Sequence, residues 1–173
     1  MKKNADSIPV AALWVLTVWV AAIGMEAIAM DGLNDWMDTQ QDTRWSGNSE
    51  LWLDPNGNEA EHSEASLQVG SDGVEYTWSF RGKEQAGRIE RDDQGLRWKD
   101  SWHQPEFVQL EAVREHGAMM AGEYSYPAGE GPDWHWRIKL AERPDGSLVL
   151  QMTNIAPWGE ETRAVRMVFR DTD

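Results

Sequence analysis

Apolar and polar residues alternate with a period of two along most of this chain. Val74, Tyr76, Trp78 and Phe80 fall on one side of a strand whose other side carries Glu75, Thr77, Ser79 and Arg81. The same rhythm runs through Ala65/Leu67/Val69, Leu96/Trp98/Asp100/Trp102, Trp134/Trp136/Ile138/Leu140, Leu148/Leu150/Met152 and Val165/Met167/Phe169. Each run predicts a strand with one buried face. Only residues 33–43, ahead of the first strand, predict a short helix, with Trp36 and Met37 as its apolar contacts.

Turn formers separate these runs: Asp54-Pro55-Asn56-Gly57, Ser71-Asp72-Gly73, Arg81-Gly82-Lys83, Asp92-Asp93-Gln94-Gly95 and Pro144-Asp145-Gly146. Short strands joined in this way make an antiparallel meander, and a long meander removes its exposed edges by closing into a barrel. One face of every barrel strand looks inward, so the aromatic face lines an interior that is either filled or holds one ligand. Trp52, Trp78, Trp98, Trp102, Trp134 and Trp136 are the candidates for that lining, with plain core packing as the alternative for each.

The rhythm is different at the start of the chain. Met1-Lys2-Lys3 precede an apolar run from Ile8 to Met25 broken only by Pro9, Thr17 and Gly24, and Ala27-Ile28-Ala29 has the small-x-small form of a signal peptidase site. Residues 1–29 therefore read as an export signal, and 30–173 as one mature domain, periplasmic or secreted, with no stable membrane insertion after cleavage. The competing reading is an uncleaved N-terminal anchor, because the run approaches the roughly 17 residues of the shortest membrane-spanning helices.

Composition narrows the chemistry. The 173 residues include 11 Trp and are 40% hydrophobic, enough bulky apolar surface for one folded core. There is no cysteine, which closes thiolate metal sites, cysteine nucleophiles, lipidated cysteines and disulfides. A net charge of −14 repels phosphate backbones and argues against a nucleic-acid partner. Losing residues 1–29 leaves that charge unchanged, since Lys2 and Lys3 cancel Asp6 and Glu26.

Asp100, Ser101 and His103 invite a catalytic reading. Taken as a continuous strand, however, Asp100 points with Trp98 and Trp102 while Ser101 and His103 point the other way. No G-x-S-x-G elbow accompanies them, so no catalytic set is assigned. Asp100 is still a carboxylate among tryptophans and needs donors, either Arg137 or indole N–H groups, or else it fixes the polar end of a ligand. His62, His103, His116 and His135 show no metal-ligand spacing and no metal is expected. The Gly- and Pro-rich stretch 127–133 opens a strand and lacks the Lys-Ser/Thr of a phosphate loop, so it reads as a fixed rim loop.

Four blocks, "YTWSFRGKEQAG" (76–87), "WKDSWHQPE" (98–106), "GEYSYPAGEGPDWHWRI" (122–138) and "LQMTNIAPWGEETRAV" (150–165), resemble in order and spacing the bacterial DUF1579 family, over roughly residues 43–170. That family is similar to lipocalin-like, calycin-type barrels and to the haem-binding-like barrels related to nitrobindin. The resemblance implies an all-β, single antiparallel barrel of about ten strands around a cavity, and no established activity. Nitrobindin-like barrels hold haem through a histidine near the C-terminal strands. Residues 141–173 contain none, and Arg44-Trp45-Ser46-Gly47-Asn48 departs from the relatives' Gly-x-Trp-x-Gly-x-Gly opening, so no haem or other cofactor is expected. Pattern and resemblance together give a ligand-binding set of Trp78, Trp98, Asp100, Trp102, Trp134, Trp136, Arg137, Met152 and Asn154. The expected partner is a small apolar or amphipathic molecule. Two other readings stay open: an enzyme, hydrolase or isomerase, using Asp100 or His103, and a solid-core barrel that binds partners through its loops.

Overall fold

The computed structural model describes residues 33, 35–54 and 58–172. Residues 1–29, read from the sequence as an export signal, and Pro55, Asn56 and Gly57 of the first predicted turn lie outside the described residues.

Ten antiparallel strands close into a barrel: β1 (Arg44–Trp52), β2 (Ala60–Val69), β3 (Gly73–Phe80), β4 (Lys83–Asp92), β5 (Gly95–Asp100), β6 (Gln104–Ala112), β7 (Met120–Tyr126), β8 (Trp134–Glu142), β9 (Leu148–Ile155) and β10 (Glu161–Asp171). Neighbours in sequence are neighbours in space, and β1 pairs with β10 to close the ring. Closure leaves no free sheet margin, which explains how a chain without disulfides protects its edges. The β3–β4 hairpin shows the local logic. Arg81 and Gly82 both take positive φ, 50° and 73°, the geometry of a two-residue turn whose twist matches the strands it joins.

Alternation sets the two faces as the sequence predicts. Val74, Tyr76, Trp78 and Phe80 are buried, as are Leu148, Leu150 and Met152, and Val165, Met167 and Phe169. Trp98, Ile138, Leu140, Leu150, Met152, Val165, Met167 and Phe169 have 0% exposure. A water-sized sphere therefore touches none of them, and the middle of the barrel is packed solid rather than hollow. Met152 belongs to this packing and lines no open space.

The turns alternate between two ends. At one end, residues 33 and 35–39 are helical, and Leu33 and Met37, four apart and both buried, lie against Val74, Ile89, Leu96, Met120 and Leu140. The predicted helix is thus present but stops at Thr39, with Gln40 to Asp42 forming a turn before β1. The other end carries residues 53–54, 58–59, 81–82, 101–103, 127–133 and 156–160, and we call it the mouth.

Candidate functional site

The mouth is organised around Asp100, the last residue of β5, whose side chain is 0% exposed. Both carboxylate oxygens accept hydrogen bonds. Oδ2 takes the Tyr76 hydroxyl at 2.9 Å and the Trp78 indole N–H at 3.3 Å, and Oδ1 takes the backbone N–H groups of Trp102 and His103 at 2.9 and 3.2 Å. The Trp98 indole donates in turn to the Tyr76 oxygen at 2.8 Å. Burial pushes the Asp100 carboxyl up, but the bond and charge of His103, the Trp102 N–H and the Tyr76 hydroxyl outweigh it and hold the group below its ordinary value.

Reading Trp98 to His103 as one strand puts His103 on the wrong side, and the structure corrects this. The strand stops at Asp100, and residues 101–103 form a turn. Asp100 creates that turn by accepting the N–H groups two and three residues ahead, a habit of Asp side chains. The chain bends, and the His103 ring folds back so that Nδ1 lies 3.1 Å from Asp100 Oδ1. The imidazole sits against Trp78 (centroids 5.8 Å, planes 22° apart) and Trp136 (4.8 Å, 40°). Register supports the bend. Trp98 pairs with Val108 but Asp100 pairs with Gln104, a shift at Pro105, which has no N–H to offer the ladder.

Gly87 makes the arrangement possible. It lies between Tyr76 and Asp100 in the ladder, and a Cβ there would fall 2.0 Å from the Tyr76 ring. Only a residue without a side chain lets Tyr76 cross β4 to reach the carboxylate.

The aromatic wall continues from Trp98 to Trp136 (6.3 Å) and Tyr124 (5.7 Å), and from Tyr124 to Tyr126 (5.9 Å). The Tyr126 hydroxyl donates to Asn154 Oδ1. Tyr124, Tyr126 and Asn154 are half-buried and form the solvent side of the cluster. Burial, with the charges of Tyr126 and Asp100, pushes Tyr124 up to about 12. Beside these tyrosines the ladder between β6 and β7 holds only two pairs, Glu111 with Glu123 and Ala112 with Gly122. The strands part toward the mouth, next to Tyr124 and Tyr126. One group in the wall is unspent: the Trp136 indole N–H is buried with no acceptor.

Of the sequence-predicted residues, Trp78, Trp98, Asp100, Trp136 and Asn154 meet in this cluster. Trp102 does not line the interior. It sits on the turn, 43% exposed, against Phe80 (4.4 Å). Trp134 is half-buried at the rim, edge-on to Trp158 at 5.6 Å. Arg137 is not a partner of Asp100. One position out of phase with Trp136, it faces outward, where Nε lies 2.6 Å from Glu123 and Nη1 is 2.9 Å from Glu161 and 3.5 Å from Glu115. Trp52 likewise faces out, beneath the Arg163 guanidinium. Ser101 is turned away from His103, donating to Gln85 Oε1 at 2.8 Å and accepting from the Ala86 N–H at 3.0 Å. Sequence reasoning missed Tyr76, Gly87, Tyr124 and Tyr126. A glycine inside the polar run between the turns at 81–83 and 92–95 was the available sign for Gly87.

A broad groove of about 930 Å³ lies elsewhere, on the outer face of β10, β1, β2 and β3, lined by Ser46, Asn48, Ser66, Thr77 and Arg170 among others. There the Ser66 and Thr77 hydroxyls bond each other at 2.7 Å. Trp78 is the single aromatic residue of the groove lining, and its charged residues Glu64, Glu84 and Arg170 are exposed.

No protein-family model and no curated protein sequence matches the chain.

Proposed function

We propose that this is an exported barrel of the DUF1579 type that binds a small molecule with a flat apolar body at its mouth, with no covalent chemistry. The observation carrying this reading is the unspent Trp136 N–H within a wall of aromatic rings built on Asp100 and His103. Leaving a buried donor unmet costs about 1–3 kcal/mol, and an acceptor atom on a ligand offsets that cost. The ligand slides between the parted ends of β6 and β7, lies on Tyr124 and Tyr126, and reaches Trp136 after a small side-chain shift. The solid middle of the barrel confines binding to this end. Native mass spectrometry of the exported protein, with Trp fluorescence titration of what co-purifies, is the test. A bound species whose affinity falls at least tenfold in Trp136→Phe supports the reading, and unchanged affinity in that variant removes it.

The contact between Asp100 and His103 favours a second reading. Asp100 accepts at Nδ1, which leaves Nε2 as an acid or base oriented by a carboxylate. Incubating the recovered ligand with fresh protein separates the two: a converted molecule favours chemistry, an unchanged one favours binding alone.

A further inference from the structure

One group at the mouth has a hydrogen-bonding role that is both fixed and unfilled. The Trp136 indole N–H can only donate, and it is buried without an acceptor in a residue 7% exposed. The side-chain oxygens of the cluster are already engaged. Asp100 Oδ2 receives Tyr76 and Trp78, and Oδ1 receives two backbone N–H groups and faces the His103 ring. The Tyr76 oxygen receives Trp98, and Asn154 Oδ1 receives Tyr126. The Tyr124 hydroxyl makes no hydrogen bond among the described residues, and it donates as readily as it accepts. His103 Nε2 gives or takes according to its proton. Trp136 alone dictates the polarity of what it meets, and it requires an acceptor.

Charge decides which kind of acceptor fits. Among the described residues Asp100 is paired with no lysine or arginine, so a ligand carboxylate at this depth would be a second desolvated negative charge beside the first. The two cations of β5 are on the other face. Arg97 and Lys99 alternate with Trp98 and Asp100 and lie over the Phe107 ring of β6 at 4.4 and 4.5 Å, and Arg97 also holds Glu90. An anion drawn to them stays on the outer surface of the seam. A neutral carbonyl oxygen carries no such charge penalty, takes the N–H and keeps its flat body against the rings.

Resting on the binding reading above, we infer that the mouth selects a neutral aromatic carbonyl compound, such as a ring ketone, quinone or lactone, over hydrocarbon, donor-only and anionic molecules of the same shape. The carbonyl oxygen accepts from Trp136, and the ring lies along Tyr124 and Tyr126.

Four probes on one bicyclic frame test this by calorimetry: 1-indanone, indane, indole and indane-1-carboxylate. The expected result is that indanone binds about fivefold or more tightly than each of the others, although indane is the more apolar. Trp136→Phe reduces the lead of indanone over indane to under twofold while near-UV circular dichroism shows an intact fold. The indole N–H signal of Trp136 in a proton–nitrogen NMR spectrum, identified by its loss in that variant, moves downfield with indanone and not with indane. Equal binding of indanone and indane, or a Trp136 signal that does not respond to indanone, overturns the inference and leaves binding of a flat body at the mouth standing. Tighter binding of indole or of the carboxylate overturns it as well. No binding of any probe up to its solubility limit removes both. Should Trp136→Phe fail to fold, the ranking on the native protein decides alone.

Discussion

The two ends of this barrel are closed by different physics. At the helix end, Leu33 and Met37 cover Val74, Ile89, Leu96, Met120 and Leu140, and the contact is apolar and non-directional. At the mouth, strands with the same alternation bring Tyr76, Trp78, Trp98 and Asp100 inward, and closure depends on hydrogen bonds that converge on one carboxylate. An apolar plug tolerates exchange of one aliphatic residue for another, since volume is what matters. A buried charge network does not, because each lost partner leaves an unmet polar group. A change of equal size therefore has unequal consequences at the two ends.

Asp100→Ala gives the largest effect. It strands the Tyr76 hydroxyl, the Trp78 indole and two backbone N–H groups, and breaking a network of this kind costs about 3–5 kcal/mol. Urea unfolding followed by Trp fluorescence measures it, and a loss below about 1 kcal/mol would show that the network is ornamental. Gly87→Ala follows at about 3 kcal/mol, because its methyl group displaces Tyr76 and breaks two bonds from a distance. Met37→Ala, at the other end, costs about 2 kcal/mol by opening a cavity. It leaves ligand affinity at the mouth unchanged, and an equal loss of affinity would mean that the ends are coupled.

The same contrast appears in how much could be read from the sequence. Inward positions such as Val74, Ile138 and Met167 follow from period two alone, because any strand in a barrel must bury one face. Four of the ten strands produce little or no such signal. In β4, Glu90 is buried out of phase because Arg88 and Arg97 hold it, and in β6 only Leu110 is buried, with Gln104 to Gln109 flanking the parted seam. In β7 the rhythm is blurred because Met120, Ala121 and Gly122 are all buried in succession. The middle of β1, Ser46 to Ser49, is small and mostly polar, and its buried hydrophobics are only Trp45 and Leu51. The position of His103 was lost because alternation was extended through residues where Asp100 had already turned the chain. Arg137 was misplaced for the opposite reason: alternation put it outside, and the need of Asp100 for a donor, together with the resemblance, drew it in. Side chains that meet across strands, such as Tyr76 with Asp100, leave no local trace.

Acid sharpens the comparison through one group. The folded pKa of Asp100 lies below its ordinary value of 3.8, so its contribution to stability is complete above that value and is lost as pH falls through the lower, folded one. The stability difference between wild type and Asp100→Asn is therefore expected to shrink below about pH 4. Met37→Ala should show a difference from wild type that does not depend on pH. Unfolding midpoints at pH 6 and pH 3 for all three proteins provide the measurement. A pH-independent difference for Asp100→Asn would count against a carboxylate at the centre of the mouth.

Alkali reads the mouth most gently, because the chain's 3 tyrosines, Tyr76, Tyr124 and Tyr126, all lie there and none lies at the plug. Burial is the largest cause raising each of them: well above 10.0 for Tyr76, to about 12 for Tyr124, and above 10.0 for Tyr126, where the Asn154 bond pulls partly back. A tyrosine in water is half ionised near pH 10. The folded protein should therefore show less than half of the full tyrosinate absorbance at 295 nm at pH 10, and the urea-unfolded chain about half. Each raised value favours the folded state below pH 10, and that stabilisation is lost as the unfolded chain begins to ionise above it. Tyr126→Phe removes one hydrogen bond at a half-exposed site, costs about 0.5–1 kcal/mol, and removes the earliest-ionising step from the curve. A folded protein whose three tyrosines titrate like free phenols would mean that the mouth is open to water down to Tyr76, leaving no buried centre for a ligand to meet.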